Sequence, residues 1–439
     1  MTEKETTLKN SGMPAGQDSR KGIISWSLYD WGNSAFATTV MGGFFPLFFK
    51  AYWSDPANPQ ASTFYLGSSV SIASIIVALS APILGAIADK GSLKKRMLFA
   101  FAYLGILSTG ALWFVRQGNW QLAAVLYILG TVGFSGGNIF YDALLVSVAS
   151  RKKVDYVSSL GFALGYIGGG LLFLVNVIMF QRPELFGIPD GNTAIRLAFL
   201  SVALWWALFS LPLFLFVPEP RTGKREGFSS AVVRGWRQIR ETINHIRHLK
   251  VVGLFLLAYW FYIDGVDTII RMSVDYGSSL GFSGGALITA LLMVQFIAFP
   301  GALLYNLFAR KVGIKRAIIT AIFAYCMIAV LGYFMKTEAH FFMLAALVGL
   351  FQGGIQALSR SFYSRIIPEK RAGEFYGFFN MLGKFAAVLG PFMMGSVTIL
   401  TGSNRLGILS IILLFLAGGI LFARVDQQEG ERMAEEYLE

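Results

Sequence analysis

Tyr29-Asp30-Trp31-Gly32-Asn33-Ser34-Ala35-Phe36 lies inside the apolar run 23–49, and its reading decides the fold. The run is long enough to cross a bilayer as one helix. Asp30 sits about seven residues in from the polar end, roughly 10 Å deep at 1.5 Å per residue. A charge at that depth costs on the order of 3 kcal/mol on insertion scales. Its carboxylate is therefore expected to face protein or water, not lipid. Asn33 follows one turn later on the same face. The pair predicts a water-reachable cavity into which Asp30 projects, with the rest of the chain arranged around it.

Composition carries the same reading along the whole chain. Of 439 residues, 55% are hydrophobic and 14% charged; soluble domains are nearer a quarter charged. Spans are predicted at 23–50, 61–88, 96–115, 120–149, 157–180, 194–217, 251–275, 284–309, 315–335, 340–366, 374–399 and 404–423. The expected fold class is an all-α membrane protein with twelve transmembrane helices in two six-helix halves. The polar start followed by a long apolar run predicts a retained helix, not a cleaved signal.

Charge sets the orientation. The net charge is +12. With both termini inside, only Lys50, Arg116, Arg182, Arg196, Lys336 and Arg405 fall on the outer side. Arg271, Arg360 and Lys384 lie within spans, and the other Lys and Arg lie on the inner side. That asymmetry explains the basic balance without nucleic acid. It predicts a cell-membrane protein with cytoplasmic termini. Cys326 is the single cysteine, which excludes an internal disulfide framework and a thiolate cluster. His245, His248 and His340 are scattered, so neither a metal nor a cofactor is expected.

Three segments are expected: a first half over 1–217, a linker over 218–250, and a second half with a short tail over 251–439. Within the linker, Phe228, Val232, Val233, Trp236, Ile239, Ile243, Ile246 and Leu249 recur at helical spacing among basic residues. This predicts a helix along the inner membrane surface, serving as a tether or as a gate-coupling element. The halves look duplicated. Phe134-Ser135-Gly136-Gly137 pairs with Phe351-Gln352-Gly353-Gly354, Gly161-Phe162 with Gly377-Phe378, and Pro82 with Pro300, at one nearly constant separation. Two such halves resemble the plan of major facilitator transporters.

The junction after the second span strengthens that resemblance. Gly85, Asp89, Gly91, Lys94, Lys95 and Arg96 are similar to the superfamily's inner-loop signature. Asp89 is placed to accept hydrogen bonds from a neighbouring helix N-terminus. The resemblance implies a latch on the inner side, with Gly85, Asp89 and Gly91 as gating residues. The second half has Tyr305-Asn306 at the equivalent place and lacks the acid, so the latch is asymmetric. A narrower resemblance starts at residue 29: Tyr29-Asp30-Trp31-Gly32-Asn33-Ser34, followed by Phe45-Pro46, looks like the start of the autophagy-related vacuolar amino-acid effluxers and their bacterial relatives. Those relatives usually show alanine where this chain has Gly32. In fungi the family exports amino acids from the vacuole, which implies an amino-acid-like solute.

Polar residues within the spans fall at helical spacing. The fourth span has Asn138 and Asp142, and the seventh has Asp264, Asp267 and Arg271. The tenth has Gln352, Gln356 and Arg360, and the eleventh has Lys384. The candidate substrate- and proton-binding set is Asp30, Asn33, Asn138, Asp142, Asp264, Asp267, Gln356, Arg360 and Lys384. Asp267 and Arg271 alternatively neutralise each other, and the amides alternatively join helices. Gly161, Gly165 and Gly169 are read as packing positions. Acids in the first half and cations in the second would suit a zwitterion. The leading expectation is a monomeric, proton-coupled secondary transporter of a small polar solute. The alternatives are an exporter of apolar cations or drugs and a sensor that moves nothing. No Walker loop, zinc-helix motif or nucleophile–base set points to an enzyme.

Overall fold

The computed structural model describes residues 17–55, 59–90, 93–219 and 249–436. The chain is helical, with no strand among the described residues. Helix α1 (Arg20–Ala35) starts at Ser19, whose hydroxyl accepts the Gly22 N–H. The chain then stays helical to Trp53. Wider π turns cover Phe36–Phe44 and Phe49–Trp53, on either side of a short α-helical piece, Phe45–Phe48. Pro46 has no N–H to give to the ladder here.

The first half continues through α2 (Pro59–Lys90), α3 (Lys94–Ala111), α4 (Trp120–Val148), α5 (Val154–Gln181) and α6 (Gly191–Phe216). The second comprises α7 (Lys250–Ser279), α8 (Gly284–Val312), α9 (Ile314–Tyr333), α10 (Glu338–Ile366), α11 (Ala372–Thr401) and α12 (Asn404–Ala423), which has an irregular turn at Ile411. A short helix, α13 (Gln427–Glu436), ends the described chain. Among the described residues, 10 helices are long and apolar enough to cross a membrane. The other two expected spans fall on α1 with its π turns and on α11, which carries Glu374 and Lys384. The amphipathic helix expected in the linker lies outside the described residues, apart from its last residues.

Short polar residues start the helices, as unpaired N–H groups demand. Asn119, Asp190, Ser283, Thr337 and Ser403 each accept a backbone N–H at the start of α4, α6, α8, α10 and α12. Glu219, just beyond α6, reaches across to the start of α3. It accepts the N–H groups of Lys94 at 2.6 Å and Lys95 at 3.3 Å. Burial pushes the Glu219 carboxyl above its ordinary range, and those N–H groups pull it back.

Apolar side chains gather into two cores. One runs from Ile23 to Val217, and the other from Leu249 to Val425 with Ala143 and Val146 of α4 added. Leu79, Leu107, Leu204, Leu215, Ile399 and Leu400 stand exposed on the outside of the bundle. A bilayer supplies the apolar surroundings that such side chains require. The first and last described residues share one end of the bundle. There Asp18 bonds Ser150, and Glu435 bonds Arg151. This end is called the terminus-bearing side below.

Small residues let helices cross closely. A Cβ at Gly133 of α4 would lie 2.4 Å from the backbone nitrogen of Gly105 on α3. One at Gly165 of α5 would lie 2.6 Å from Ser34 Oγ on α1. Between the halves, one at Gly85 of α2 would lie 2.0 Å from the carbonyl of Gly373 on α11. Backbone cannot yield as a side chain can. Gly133→Val is therefore expected to destabilise by about 1–3 kcal/mol and to lower the thermal unfolding midpoint of detergent-purified protein. Gly67→Ala, where an added Cβ meets nothing within 4 Å, is expected to leave that midpoint unchanged.

Candidate functional site

Five helices bring their polar residues to one point, nearer the terminus-bearing end of α10 than its other end. Arg360 of α10 is at the centre, 3% exposed. Its Nη1 donates to Asp142 Oδ1 of α4 at 3.1 Å and lies 3.6 Å from Asp30 Oδ2 of α1. Its Nε donates to Ser158 Oγ of α5 at 2.9 Å, and its Nη2 to the Ser158 carbonyl at 2.9 Å. The planar fork of guanidinium donors suits such divided bonding. Trp26, Tyr141 and Phe162 present their rings to the guanidinium carbon, with centroids at 5.0, 5.6 and 4.2 Å.

The acids are held from their other sides. Tyr141 donates its hydroxyl to Asp30 Oδ2 at 2.7 Å. Asn380 of α11 donates to Asp142 Oδ2 at 3.0 Å. Tyr141 is itself fixed: its ring stacks on Trp26 at 4.3 Å, and its carbonyl accepts the Trp26 indole N–H. Tyr376 donates to the Arg360 carbonyl at 3.1 Å. Two carboxylates facing one guanidinium leave a single negative charge uncompensated when all three are ionised.

This corrects the reading of Asp30 as a side chain in an open cavity. Asp30 is 9% exposed, and its Oδ2 accepts the Tyr141 hydroxyl and faces Arg360. The acids of the first half and Arg360 of the second, which the sequence placed in opposite halves, meet here. Arg360 and Asp142 are 218 residues apart in sequence, yet the guanidinium pairs directly with the acids. An unpaired charge in an oily interior is expensive, so the oppositely charged groups close on each other in this conformation.

The other sequence candidates take up separate places. Asn33 donates to Asn138 at 2.7 Å, joining α1 to α4. Gln356, one turn from Arg360 on α10, accepts the Tyr166 hydroxyl of α5 at 2.5 Å. Asp264 is buried between α7 and α11, where it accepts the Gly390 N–H and the Thr268 hydroxyl. Asp267 follows on α7, half-buried, and Arg271 is exposed. Lys384 is on α11, but its side chain lies outside the described residues.

Asp89, at the end of α2, accepts the backbone N–H groups of Gly373 at 2.9 Å and Glu374 at 2.8 Å, at the start of α11. Lys94 also pairs with it at 2.8 Å. Gly85 packs against Gly373, and Gly91 lies outside the described residues. Nearby, Asp155 at the start of α5 pairs with Arg365 of α10 at 2.7 Å, and Ser158 Oγ donates to the Ala357 carbonyl. These bonds between the halves gather on the terminus-bearing side. Reading the sequence missed Tyr141, Ser158, Tyr376 and Asn380. The available signals were Tyr141 beside Asp142, and Asn380 one turn after Tyr376 within an apolar span.

Two six-helix halves, each with its own core and bridged by buried polar bonds, define a major facilitator transporter. Solved structures share this fold. One is the proton:xylose symporter XylE, with a TM-score of 0.70 and 16% identity over 95% of this chain and 98% of that one. Another is the human organic anion transporter MFSD10 (TETRAN), with a TM-score of 0.68 and 16% identity over 93% of this chain and 100% of that one. Within this class the chain belongs to the family described as "Vacuole effluxer Atg22 like", whose model matches residues 18–154 and 146–435. It is 39% identical over 406 residues to the "Uncharacterized MFS-type transporter YxiO" of Bacillus subtilis (strain 168), covering 92% of this chain and 94% of that protein. It is 24% identical over 480 residues to Autophagy-related protein 22 of Yarrowia lipolytica, covering 89% of this chain and 79% of that protein.

The cluster also bears on stability. Arg360→Met leaves two carboxylates facing each other and is expected to cost about 3–5 kcal/mol. The combined change Arg360→Met, Asp142→Leu, Asp30→Asn removes every charge and is expected to recover most of that loss. Thermal unfolding of the purified variants measures both.

Proposed function

We propose that this protein moves a small polar, amino-acid-like solute across the cell membrane by alternating access, driven by protons, as a monomer with both termini cytoplasmic. One observation carries the proposal: Arg360 of the second half is bonded to Asp142 and lies beside Asp30 of the first. Rocking of the halves must break or remake that bridge. A solute carboxylate is a direct competitor for the guanidinium, because it offers the same kind of charged acceptor as Asp142. The solute's amine can take the place Arg360 vacates beside Asp142. Membership of the family described as vacuole effluxers supports a transport role.

Proton coupling follows from the charge count. One guanidinium between two acids leaves a negative charge that a proton on Asp30 neutralises. Asp30 is the more loosely held acid, at 3.6 Å from Arg360 against 3.1 Å for Asp142. A pH gradient supplies about 1.4 kcal/mol per unit, and the membrane potential adds roughly 2.3 kcal/mol per 100 mV. That is ample for concentrating a small solute. Asp89 would latch the terminus-bearing side, releasing the start of α11 when the halves rock.

Proteoliposomes with an imposed pH gradient and a radiolabelled amino-acid mixture test this reading. Wild-type protein is expected to accumulate label only while the gradient lasts, and equal accumulation after its collapse would refute proton coupling. Asp30→Asn is expected to lose gradient-driven accumulation while keeping exchange of label across the membrane. Normal accumulation by that variant would remove Asp30 from the coupling step.

The latch has its own readout. In a Cys326→Ser background, a cysteine at buried Ser364 of α10 lies on the terminus-bearing side of Arg360. Asp89→Ala is expected to speed its labelling by a water-soluble maleimide several-fold. An unchanged rate would mean that Asp89 holds a turn and not a gate.

A further inference from the structure

A second buried acid stands apart from the Arg360 cluster. Asp264 of α7 is 0% exposed. Its Oδ1 accepts the backbone N–H of Gly390 at 3.0 Å and the hydroxyl of Thr268 at 3.3 Å. Its Oδ2 is buried without any hydrogen-bond partner. Among the described residues, no Lys, Arg or His forms an ion pair with it. An ionised carboxylate in that position would bury a full charge with one oxygen bare. A neutral carboxylic acid leaves only one hydroxyl short of a bond, which is far cheaper.

The two helices that hold this acid are closely packed. A Cβ on Gly390 would fall 1.9 Å from Thr268 Oγ1 and 2.9 Å from Asp264 Oδ1, so α7 and α11 are in close contact. Phe415 of α12 covers the adjoining Gly265 and stacks on Tyr325 of α9. On α7 itself the nearest titratable groups are Asp267, one turn on, and Tyr262, whose hydroxyl bonds Ser359 of α10. Arg360 of α10 is engaged by Asp142 and Ser158. On α11, Lys384 precedes Gly390 by more than a turn, with its side chain outside the described residues.

The partner segment is built to part. Gly390 gives its N–H to Asp264, and the next residue, Pro391, has none to give. We propose that Asp264 holds a proton in this conformation and exchanges it with solvent when α7 and α11 separate, making it a proton-carrying site distinct from the Arg360 cluster. On exchange a water molecule takes the proton from Oδ2. On return a hydronium ion delivers one to Oδ2 and leaves as water. The role in coupling rests on the transport reading above; the bound proton itself does not.

Infrared difference spectroscopy tests the proton without any solute. Purified wild-type protein at neutral pH is expected to show a protonated-carboxyl band that is lost in Asp264→Asn and kept in Asp30→Asn. Asp264→Glu is expected to keep a band at a shifted position, which preserves the test if Asp264→Asn folds poorly. In deuterated buffer the band is expected to shift slowly, and faster in Gly390→Ala, where the added methyl forces the helices apart. A wild-type spectrum without the band, or a band indifferent to Asp264, would overturn the proposal.

The coupling role is read separately, with the radiolabelled amino-acid mixture. A gradient of one pH unit sustains at most roughly tenfold accumulation per proton, and Asp264→Asn is expected to reduce it towards equal concentrations while exchange continues. If the band depends on Asp264 but accumulation survives in Asp264→Asn, the proton is resident and not coupled. If wild-type protein shows the band but moves no label, the solute reading fails and the bound proton stands.

Discussion

A guanidinium cannot lie in an apolar bundle without compensation, and in this protein the compensation comes from the opposite half of the molecule. Arg360 belongs to α10, and its partners Asp142, Asp30 and Ser158 belong to α4, α1 and α5. Much of the remaining structure follows from that demand. These four helices must converge closely enough for one side chain to reach three others. Aromatic rings must exclude water around it, which strengthens every charge interaction inside. The halves are thereby tied by a bond that a solute or a proton can replace.

Close helix contact supplies the other half of the design. Glycines on α5 face α1, and glycines on α2 and α11 face each other. Such contacts are made of backbone and small side chains, with few interlocking knobs to unlock when two surfaces slide. The polar bonds across the divide are concentrated on the terminus-bearing side: Asp89 to the start of α11, Asp155 to Arg365, and Arg151 to Glu435. The molecule is therefore held shut at one end by hydrogen bonds and ion pairs. Farther along the bundle, the Tyr166 hydroxyl of α5 bonds Gln356 of α10, and close packing joins the halves around it. The first helix departs from regular geometry in the part farther from the terminus-bearing end, where π turns surround Pro46. Turns of this kind recur at functional positions in helices.

Legibility from sequence followed the range of the forces involved. Helix positions depend on local apolar composition, and each expected span fell on a helix. Asp30, Asp142 and Arg360 were identifiable because any ionisable residue deep in an apolar run demands a reason. Asp89 was identifiable because its place at the end of a helix, ahead of glycine and basic residues, resembles a known local signature. Asn380 and Ser158 carried no comparable signal, since uncharged polar residues are common inside membrane bundles. Their importance comes from bonds to residues far away in the chain.

The sequence by itself determined the membrane-spanning class, the doubled six-helix plan and the short inventory of buried charges, because hydrophobicity and its interruptions are properties of consecutive residues. How those charges pair was set when distant helices came together. Asp30 joins Asp142 around Arg360, and Asp264 is a separate acid wedged between α7 and α11. The physical reason is pairing in a low-dielectric interior: which acid meets which cation is set by the crossing of helices hundreds of residues apart, and no local pattern encodes it.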